Sequence, residues 1–295
     1  MEWFRNIGLM GRPGNTAVAD TLLDVQRFLE SQGRHVIFDE DTAKLLPSRN
    51  NIQVCSRQSL GEACDLVIVV GGDGSLLHAA RTLARSNTPV LGINRGRLGF
   101  LTDVAPQEIE AKVGAVLRGD FVEDKRFLLN AEVLRDGEAL GDMLALNDVI
   151  LHTGKTVHMI EFELYVEGEF VYRLRSDGLI VCTPTGSTAY ALSGGGPILH
   201  PRLDAMGLVP MHPHTLSSRP IVVDGDSESK IQVLSDIPPR VSADGQPGQM
   251  LEAGDWVYVR KHPFKLRLIH PPGHDFYAAC RTKLGWNSHL SNGDH

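Results

Sequence analysis

The apolar positions of the first 125 residues follow two patterns that alternate along the chain. Short runs that are apolar at nearly every position predict strands buried on both faces, as in parallel sheets. Segments whose apolar residues recur every three or four positions predict amphipathic helices. In order, the pattern predicts a strand at 7–11, a helix at 18–29, strands at 35–38 and 67–70, a helix at 76–85, a strand at 89–94 and a helix at 109–117. This alternation predicts an α/β domain with a doubly wound parallel sheet.

From residue 126 the pattern changes to strands. Apolar and polar residues alternate over 160–166 and 170–174, and a Glu-Gly-Glu turn between them predicts a hairpin. No long helix interrupts the strand-like runs that follow, at 179–182, 220–223, 231–234, 256–260 and 266–269. We therefore expect a mainly β, sandwich-like domain over 126–274 after an α/β domain over 1–125. The aromatic and apolar residues in the tail 275–295 predict that it returns to the first domain.

The strand predicted at 67–70 ends in the sequence Gly71-Gly72-Asp73-Gly74-Ser75, and a helical pattern follows. Glycines let another molecule approach the backbone, and the N-terminus of a helix attracts anions. A carboxylate beside a phosphate is repelled unless it binds a metal or accepts a proton. Asp73 therefore favours a phosphoryl-transfer site with its own base over a turn whose glycines serve only the backbone geometry.

Two well-known nucleotide motifs are excluded at the sequence level. A Walker A loop needs a glycine five positions before Gly154 of the Gly-Lys-Thr at 154–156, and Val149 stands there. The dinucleotide fingerprint needs a third glycine in the 71–77 segment, and Leu77 occupies its place. The glycine-rich segment is therefore of another kind.

A second segment of unusual composition spans 175–197. It combines hydroxyl side chains, a glycine triplet and Tyr190, whose ring can stack on a planar group, and this suits a nucleoside pocket. Composition alone favours a long loop with turn chemistry. Asn147 and Asp148 precede a predicted strand, and their side chains suit a ribose hydroxyl, but taken alone the pair favours a turn at the strand entry.

Composition narrows the class of protein. The 295 residues fit one large or two ordinary domains, and the net charge of −7 argues against a nucleic-acid surface. The four cysteines contain no Cys-x-x-Cys pair, so neither zinc site nor disulfide framework is indicated. No apolar stretch has membrane length and no signal peptide begins the chain, so we expect a cytoplasmic protein without a membrane partner. His158 and the His212-Pro213-His214 pair are interpreted as structural.

Four motifs occur together in one order, and together they resemble a known family. They are Gly71-Gly72-Asp73-Gly74-Ser75, Asn94-Arg95-Gly96-Arg97-Leu98-Gly99-Phe100-Leu101, Asn147-Asp148 and Thr183-Pro184-Thr185-Gly186-Ser187-Thr188-Ala189-Tyr190. This set is similar to NAD kinases of the bacterial type over nearly the whole chain. The first motif also resembles lipid kinases and phosphofructokinases, whereas the last one discriminates. The resemblance therefore replaces the loop-only interpretation of 175–197 with a binding segment.

The resemblance implies NAD bound between an α/β and a β-sandwich domain. The implied reaction transfers the γ-phosphoryl group of ATP to the 2′-hydroxyl of NAD's adenosine ribose and makes NADP. It also implies Mg²⁺ or another divalent cation with ATP, no metal assigned to protein side chains, and a homodimer or tetramer. A lipid or sugar kinase with the same glycine loop, or a non-catalytic dinucleotide sensor, remains the alternative. Residues 183–196 look like neither an acyl nor a sugar-phosphate site, and a sensor needs no base at Asp73.

The resemblance also implies roles for individual residues. Asp73 would be the general base, and the amides of Gly72 and Gly74 would hold phosphates. The substrate-binding positions would be Asn147 and Asp148 for ribose, Thr188, Ala189, Tyr190 and Ser193 for adenosine, Arg175 and Asp177 for the rest of the dinucleotide, and His78, Phe100, His158 and Gln246 as further contacts. The family often carries glutamate at position 148, so the aspartate here has a shorter reach.

Overall fold

The computed structural model describes residues 3–12, 16–47, 52–96, 99–154, 158–215 and 217–286. Its internal contacts divide the chain into two compact units. The first contains Met1–Lys125 together with Leu266–His295, and the second contains Arg126–Lys265. The chain therefore returns to the first unit at Leu266, nine residues before the start of the tail that the sequence predicts to return, residue 275.

The first unit alternates strands with helices, as the hydrophobic pattern predicts. Its elements are β1 (Asn6–Gly11), α1 (Thr16–Ser31), β2 (His35–Asp39), α2 (Glu40–Ala43), β3 (Gln53–Cys55), α3 (Arg57–Ala63), β4 (Leu66–Val70), α4 (Asp73–Leu83), β5 (Val90–Ile93) and α5 (Ile109–Leu117). The strands pair in parallel in the order β3, β2, β1, β4, β5. All five residues of β4 are buried, which explains its unbroken apolar run.

Helices on this sheet bury their apolar stripes against it. Leu22 of α1, Ile68 of β4 and Val113 of α5 belong to one buried cluster. Because β4 and β5 are parallel neighbours, the segments that follow them emerge at the same edge of the sheet. That edge, beyond the carboxyl ends of the strands, is where α/β sheets bind ligands.

The second unit is mostly antiparallel β-structure. Its elements, including strands that begin or end in the first unit, are β6 (Val122–Arg135), β7 (Glu138–Ala145), β8 (Asp148–His152), β9 (Ile160–Val166), β10 (Glu169–Ser176), β11 (Gly178–Cys182), α6 (Tyr190–Ser193), β12 (Ala205–Met211), β13 (Ile221–Asp224), β14 (Ser229–Val233), β15 (Arg240–Ala243), β16 (Gln249–Met250) and β17 (Trp256–His270). One sheet has the order β13, β12, β11, β8, β15, β16. Strands β10, β9, β14 and β17 pair in that order, and β6 pairs with β7.

Alternate side chains from these strands meet in one core. Phe162 of β9, Val181 of β11 and Val257 of β17 are fully or almost fully buried in the same cluster. The sandwich-like second domain and the parallel sheet of the first are therefore confirmed. The last strand continues into the first unit, where Leu268 and Ile269 pair in parallel with β5, and helix α7 (Phe276–Leu284) follows.

Two local predictions differ from the structure. The helix predicted from residue 76 begins at Asp73, because its first turn contains polar and glycine residues that apolar periodicity does not detect. The segment 175–197, for which composition alone favours a long loop, contains the end of β10 at Ser176 and the whole of β11 from Gly178, in which the predicted run 179–182 lies. Its remainder contains the short helix α6 rather than turns alone.

The length and hydropathy of the helices bear on whether the chain crosses a membrane. Among the residues that the structure describes, we find no helix with the length and apolar character required to traverse a bilayer.

Candidate functional site

Asp73 occupies the first position of α4, and two glycines separate it from the end of β4. Gly72 is the N-cap residue, and the N–H of Gly71 donates to the carbonyl of Ile93 in β5 at 2.9 Å. Gly72 and Gly74 are exposed, and a Cβ built on either would meet no heavy atom within 4 Å. The backbone at Gly72 and Gly74, at the start of an 11-residue helix, is therefore accessible to an approaching anion.

The Asp73 carboxylate is held by the segment that follows β5. It accepts hydrogen bonds from the N–H of Phe100 at 2.9 Å, the N–H of Leu101 at 3.1 Å and the hydroxyl of Thr102 at 3.2 Å. A carboxylate offers about four lone-pair sites, so three donors leave it able to accept another proton donor. The side chain keeps 28% exposure, which leaves a path for that donor.

Gly99 is the residue that lets this segment approach Asp73. A Cβ at position 99 would lie 2.0 Å from Oδ1 of Asp73 and 2.3 Å from Oγ1 of Thr102. Neither distance is compatible with a side chain, so glycine is required for the observed contact. The sequence motif contains Gly99, but no local pattern links it to Asp73. Arg97 and Leu98 of the same motif lie outside the described residues.

Lys283 is a second neighbour of Asp73 that sequence reasoning missed. Its ammonium lies 3.6 Å from Oδ2 of Asp73 and 5.4 Å from the centre of the Phe100 ring. The lysine belongs to the last turn of α7, about two hundred residues along the chain from Asp73. The two residues are close because the tail returns to the first unit, as the sequence predicts. The contact between Lys283 and Asp73 is one place where the returning tail meets that unit.

Asp103, His270 and His274 form the group of potential metal ligands found among the described residues, with their ligand atoms within 4.8 Å of one another. Oδ2 of Asp103 lies 2.9 Å from Nδ1 of His270 and 2.8 Å from Nδ1 of His274. Burial pushes the pKa of Asp103 upward, but the two histidine hydrogen bonds outweigh it and hold this pKa well below its usual value. These two contacts of Asp103 connect the segment after β5 to the residues that precede α7.

His78 lies on the surface of α4 beside two arginines. Its Nε2 contacts Arg57 and its Nδ1 lies 3.2 Å from Nη2 of Arg81. Desolvation, followed by the charges of Arg57 and Arg81, lowers the pKa of His78. The imidazole is therefore neutral at pH 7. Phe100 is half-buried and its ring lies 6.4 Å from that of Phe276.

In the second unit, Asp244 organises the Asn147–Asp148 segment. Its carboxylate accepts from the N–H groups of Leu146 at 2.9 Å and Asn147 at 2.8 Å, and lies 3.3 Å from the N–H of Asp148. Asp244 and Gly245 both have positive φ, 49° and 69°, as a tight hairpin turn requires. The Asp-Gly pair signals a turn in the sequence, but its carboxylate contacts to residues almost a hundred positions away are not visible there.

The Thr183–Tyr190 motif packs directly on the same segment. The hydroxyl of Thr183 donates to the carbonyl of Leu146 at 2.6 Å and accepts from the N–H of Gly186 at 3.1 Å. A Cβ on Gly186 would stand 2.0 Å from the carbonyl oxygen of Asn147, so only glycine fits. Two sequence-predicted candidates, the Asn-Asp pair and the Thr/Gly-rich motif, are thus one structural cluster.

The candidate adenosine residues extend from this cluster toward solvent. Tyr190 and Ser193 are exposed, whereas Thr188 and Ala189 are half-buried. Tyr190 is the first residue of α6 and exposes 46% of its surface, so its ring face is available for stacking.

The other predicted binding residues of this unit are more dispersed. Arg175 is exposed at the end of β10, and Oδ2 of Asp177 lies 3.1 Å from Nδ1 of His212. Gln246 is exposed and lines a groove of about 960 Å³ with residues 152–154. His158 is exposed, which does not support its interpretation as a packed structural histidine. Lys155 and Thr156, considered for the excluded Walker A loop, lie outside the described residues.

Asp148 differs from the others because its carboxyl group is buried, with 4% of the residue exposed. Burial, together with the neighbouring charge of Asp244, raises the pKa of Asp148 to about 7. Ionising this group therefore costs stability in the folded state. The short side chain that the resemblance pointed out does not reach solvent here.

We expect Asp148→Asn to remove a pH dependence of stability. The folded pKa is raised from 3.8 to about 7, so the wild type has its full stability below pH 4 and loses stability as the pH rises through 7. Between pH 5 and 7 the wild type should lose roughly 2–3 kcal/mol relative to the variant. Urea unfolding at pH 5, 6, 7 and 8 measures the difference. Asp142→Asn, at an exposed site on β7, is the control for losing one charge; parallel pH curves for Asp148→Asn and wild type would contradict the expectation.

Comparison with known proteins decides the family. Residues 7–121 match the ATP-NAD kinase N-terminal domain model, and residues 146–271 match the ATP-NAD kinase C-terminal domain model. The chain belongs to the ATP-NAD kinase family. Members of this family are phosphotransferases, and the resemblance stated from the motifs is confirmed.

Full-length relatives of the ATP-NAD kinase family agree with this assignment. The chain is 64% identical over 285 residues to the NAD kinase of Acinetobacter baylyi, covering 96% of this chain and 92% of that one. It is 60% identical over 296 residues to the NAD kinase of Pseudomonas putida, with both chains fully covered.

Solved structures of the family have the same fold. A yeast NADH kinase complexed with NADH has a TM-score of 0.88 at 27% identity, covering 96% of this chain and 88% of that one. An NAD kinase from Archaeoglobus fulgidus in complex with ATP has a TM-score of 0.72 at 26% identity, covering 95% and 97%.

Proposed function

We propose that the protein transfers the γ-phosphoryl group of ATP to the 2′-hydroxyl of the adenosine ribose of NAD, giving NADP, with Asp73 as general base. A bond forms between the ribose oxygen and the γ-phosphorus, and the bond from that phosphorus to the ADP oxygen breaks. The hydroxyl proton moves to the Asp73 carboxylate, and ADP leaves. The observation that carries the proposal is the fixed, partly exposed Asp73 carboxylate at the open N-terminus of α4.

The chemistry explains why a carboxylate is useful there. A ribose hydroxyl is a weak nucleophile at neutral pH, and a positioned base accelerates its attack by about 10²–10⁴-fold. Three donors fix the Asp73 oxygens without exhausting their capacity to accept the ribose proton. The amides of Gly72 and Gly74 are the groups we propose for the phosphates.

The divalent cation is proposed to arrive with ATP. The nearest groups to the Asp73 carboxylate are N–H and O–H donors and the Lys283 ammonium, which do not favour a metal ion at this carboxylate. Mg²⁺ typically keeps several waters and binds through substrate phosphates, where it offsets their charge. The protein residues then need only position the nucleotide.

The second unit is proposed to bind NAD, and the exposed side chains of Arg175, Tyr190 and Ser193 support this. Asn147 and Asp148 are proposed for ribose, with Asp148 buried in this structure, and Thr188, Ala189, Tyr190 and Ser193 are proposed for adenosine. Arg175, Asp177, His158 and Gln246, with His78 and Phe100 of the first unit, are proposed for the remaining contacts. A cytoplasmic location and assembly as a homodimer or tetramer stay predictions from the family resemblance.

The alternatives have less support. The curated relatives are named NAD kinase, and the solved neighbours contain NADH or ATP, which favours NAD and ATP as the substrates over a lipid, a sugar or no reaction.

One assay tests the proposal. Purified protein is mixed with ATP, Mg²⁺ and NAD, and NADP is followed through an NADP-specific dehydrogenase. We expect NADP only when all three are present. Parallel reactions with diacylglycerol or fructose 6-phosphate, followed by ADP release, test the rival kinases. NAD binding without NADP formation would instead indicate a sensor and overturn the proposal.

A further inference from the structure

Lys283 lies close to the Asp73 carboxylate without being fully engaged by it. The distance of 3.6 Å from Nζ to Oδ2 exceeds the 2.7–3.2 Å typical of a direct N–H···O hydrogen bond. Both side chains are 28% exposed, so solvent reaches each of them and neither is closed off from a ligand. The ring of Phe100 lies against the same ammonium, at 5.4 Å from its centre.

Helix α7 holds this lysine in place from its other end. Asp275 caps the helix by accepting from the N–H groups of Tyr277 at 2.8 Å and Ala278 at 3.1 Å. Immediately before it, His270 and His274 bind Asp103, which follows the Thr102 that contacts Asp73. The segment supporting Asp73 and the helix carrying Lys283 are therefore fastened together, and the lysine is positioned before any substrate arrives.

A cation at this place does not help a base. A positive charge attracts anions and has no affinity for the proton that a base takes up. The positive charge instead favours the γ-phosphoryl group. During transfer to the ribose oxygen, the oxygens of this group must come close to the Asp73 carboxylate. Two anions brought that close need a counter-charge, and the ammonium of Lys283 already lies 3.6 Å from one of them, the Asp73 carboxylate.

We propose that Lys283 is a further catalytic residue, whose ammonium binds the oxygens of the γ-phosphoryl group during transfer and then the 2′-phosphate of the product. The inference rests on the proposed reaction at Asp73. Such a cation stabilises the charge that is concentrated on the transferred group. It also distinguishes the two dinucleotides, because NADP has a phosphate at this position and NAD has only a hydroxyl.

The test compares the binding of NAD and NADP, by calorimetry, for wild type, Lys283→Ala and Lys283→Arg. We expect Lys283→Ala to raise the Kd of NADP about 10–100-fold, as for the loss of a charge-assisted hydrogen bond, and to leave that of NAD nearly unchanged. The alanine variant should also lose roughly 10²-fold in kcat. Lys283→Arg keeps the charge and should restore most of the NADP affinity.

Arg281→Ala is the matched control, because Arg281 belongs to the same helical turn but lies 3.3 Å from Asp275. It should leave the ratio of the two affinities unchanged. If Lys283→Ala weakens NAD and NADP equally, or neither, while the wild type makes NADP, the role of Lys283 is wrong and the reaction stands. If the wild type makes no NADP, the reaction itself fails. Melting curves of all variants verify that they fold. If Lys283→Ala does not fold, Lys283→Gln takes its place in the comparison.

Discussion

Asp73→Asn is expected to lower kcat by about 10²–10⁴-fold while NAD still binds. The amide nitrogen cannot take the ribose proton, and the contacts proposed for adenosine, at residues 188–190 and Ser193, do not involve Asp73. Steady-state kinetics with the coupled NADP assay, and calorimetry with NAD, measure the two quantities separately. Turnover equal to that of the wild type would remove Asp73 from the mechanism.

The same substitution also has a structural cost. Both Asp73 oxygens accept hydrogen bonds, so an amide NH₂ would face a backbone N–H and leave it without an acceptor. That loss is worth about 1–3 kcal/mol and lowers the melting temperature. Thr102→Val is the matched variant, because it removes one donor to Asp73 and keeps the carboxylate. It should lose much less turnover than Asp73→Asn; equal losses would assign the effect to positioning rather than to proton transfer.

Gly99→Ala should nearly abolish turnover while the Asp73 side chain stays chemically intact. The added methyl would stand 2.0 Å from Oδ1 of Asp73, so the carboxylate or the segment after β5 must move by about 1 Å. Misplacement of that size at a reacting group costs about 10²-fold in rate. Kinetics with saturating ATP and NAD give the effect, and circular dichroism verifies folding.

Gly96→Ala is the control within the same segment. The nearest atom to its added Cβ is Oδ1 of Asn94, at 3.8 Å, which is ordinary contact. We expect turnover close to that of the wild type. If the alanines at 96 and 99 behave alike, the close approach at Gly99 does not position Asp73.

The buried strands and the helices between them were predictable because burial favours an apolar residue at each buried position, so the pattern of burial is visible directly in the sequence. Strand β4 is apolar at every position, and α1 repeats its apolar residues at helical spacing. The predicted start of α4, residue 76, lies three residues after the observed start at Asp73, because the glycine and aspartate of the first turn give no apolar signal. The contact of Asn147 with Gly186 was also not predictable, since it joins the backbone just before β8 to the segment after β11.

The sequence alone determined the fold class, the glycine-flanked aspartate and the family, because apolar periodicity and contiguous motifs are local properties of the chain. The tertiary structure decided what surrounds that aspartate: Gly99 and Thr102 from the next strand's loop, and Lys283 from the returning helix. It likewise decided that Asp148 is buried beside Asp244, which gives it an unusual pKa. These contacts arise from parallel strand order and chain return, which bring distant residues within a few ångströms without leaving any local pattern.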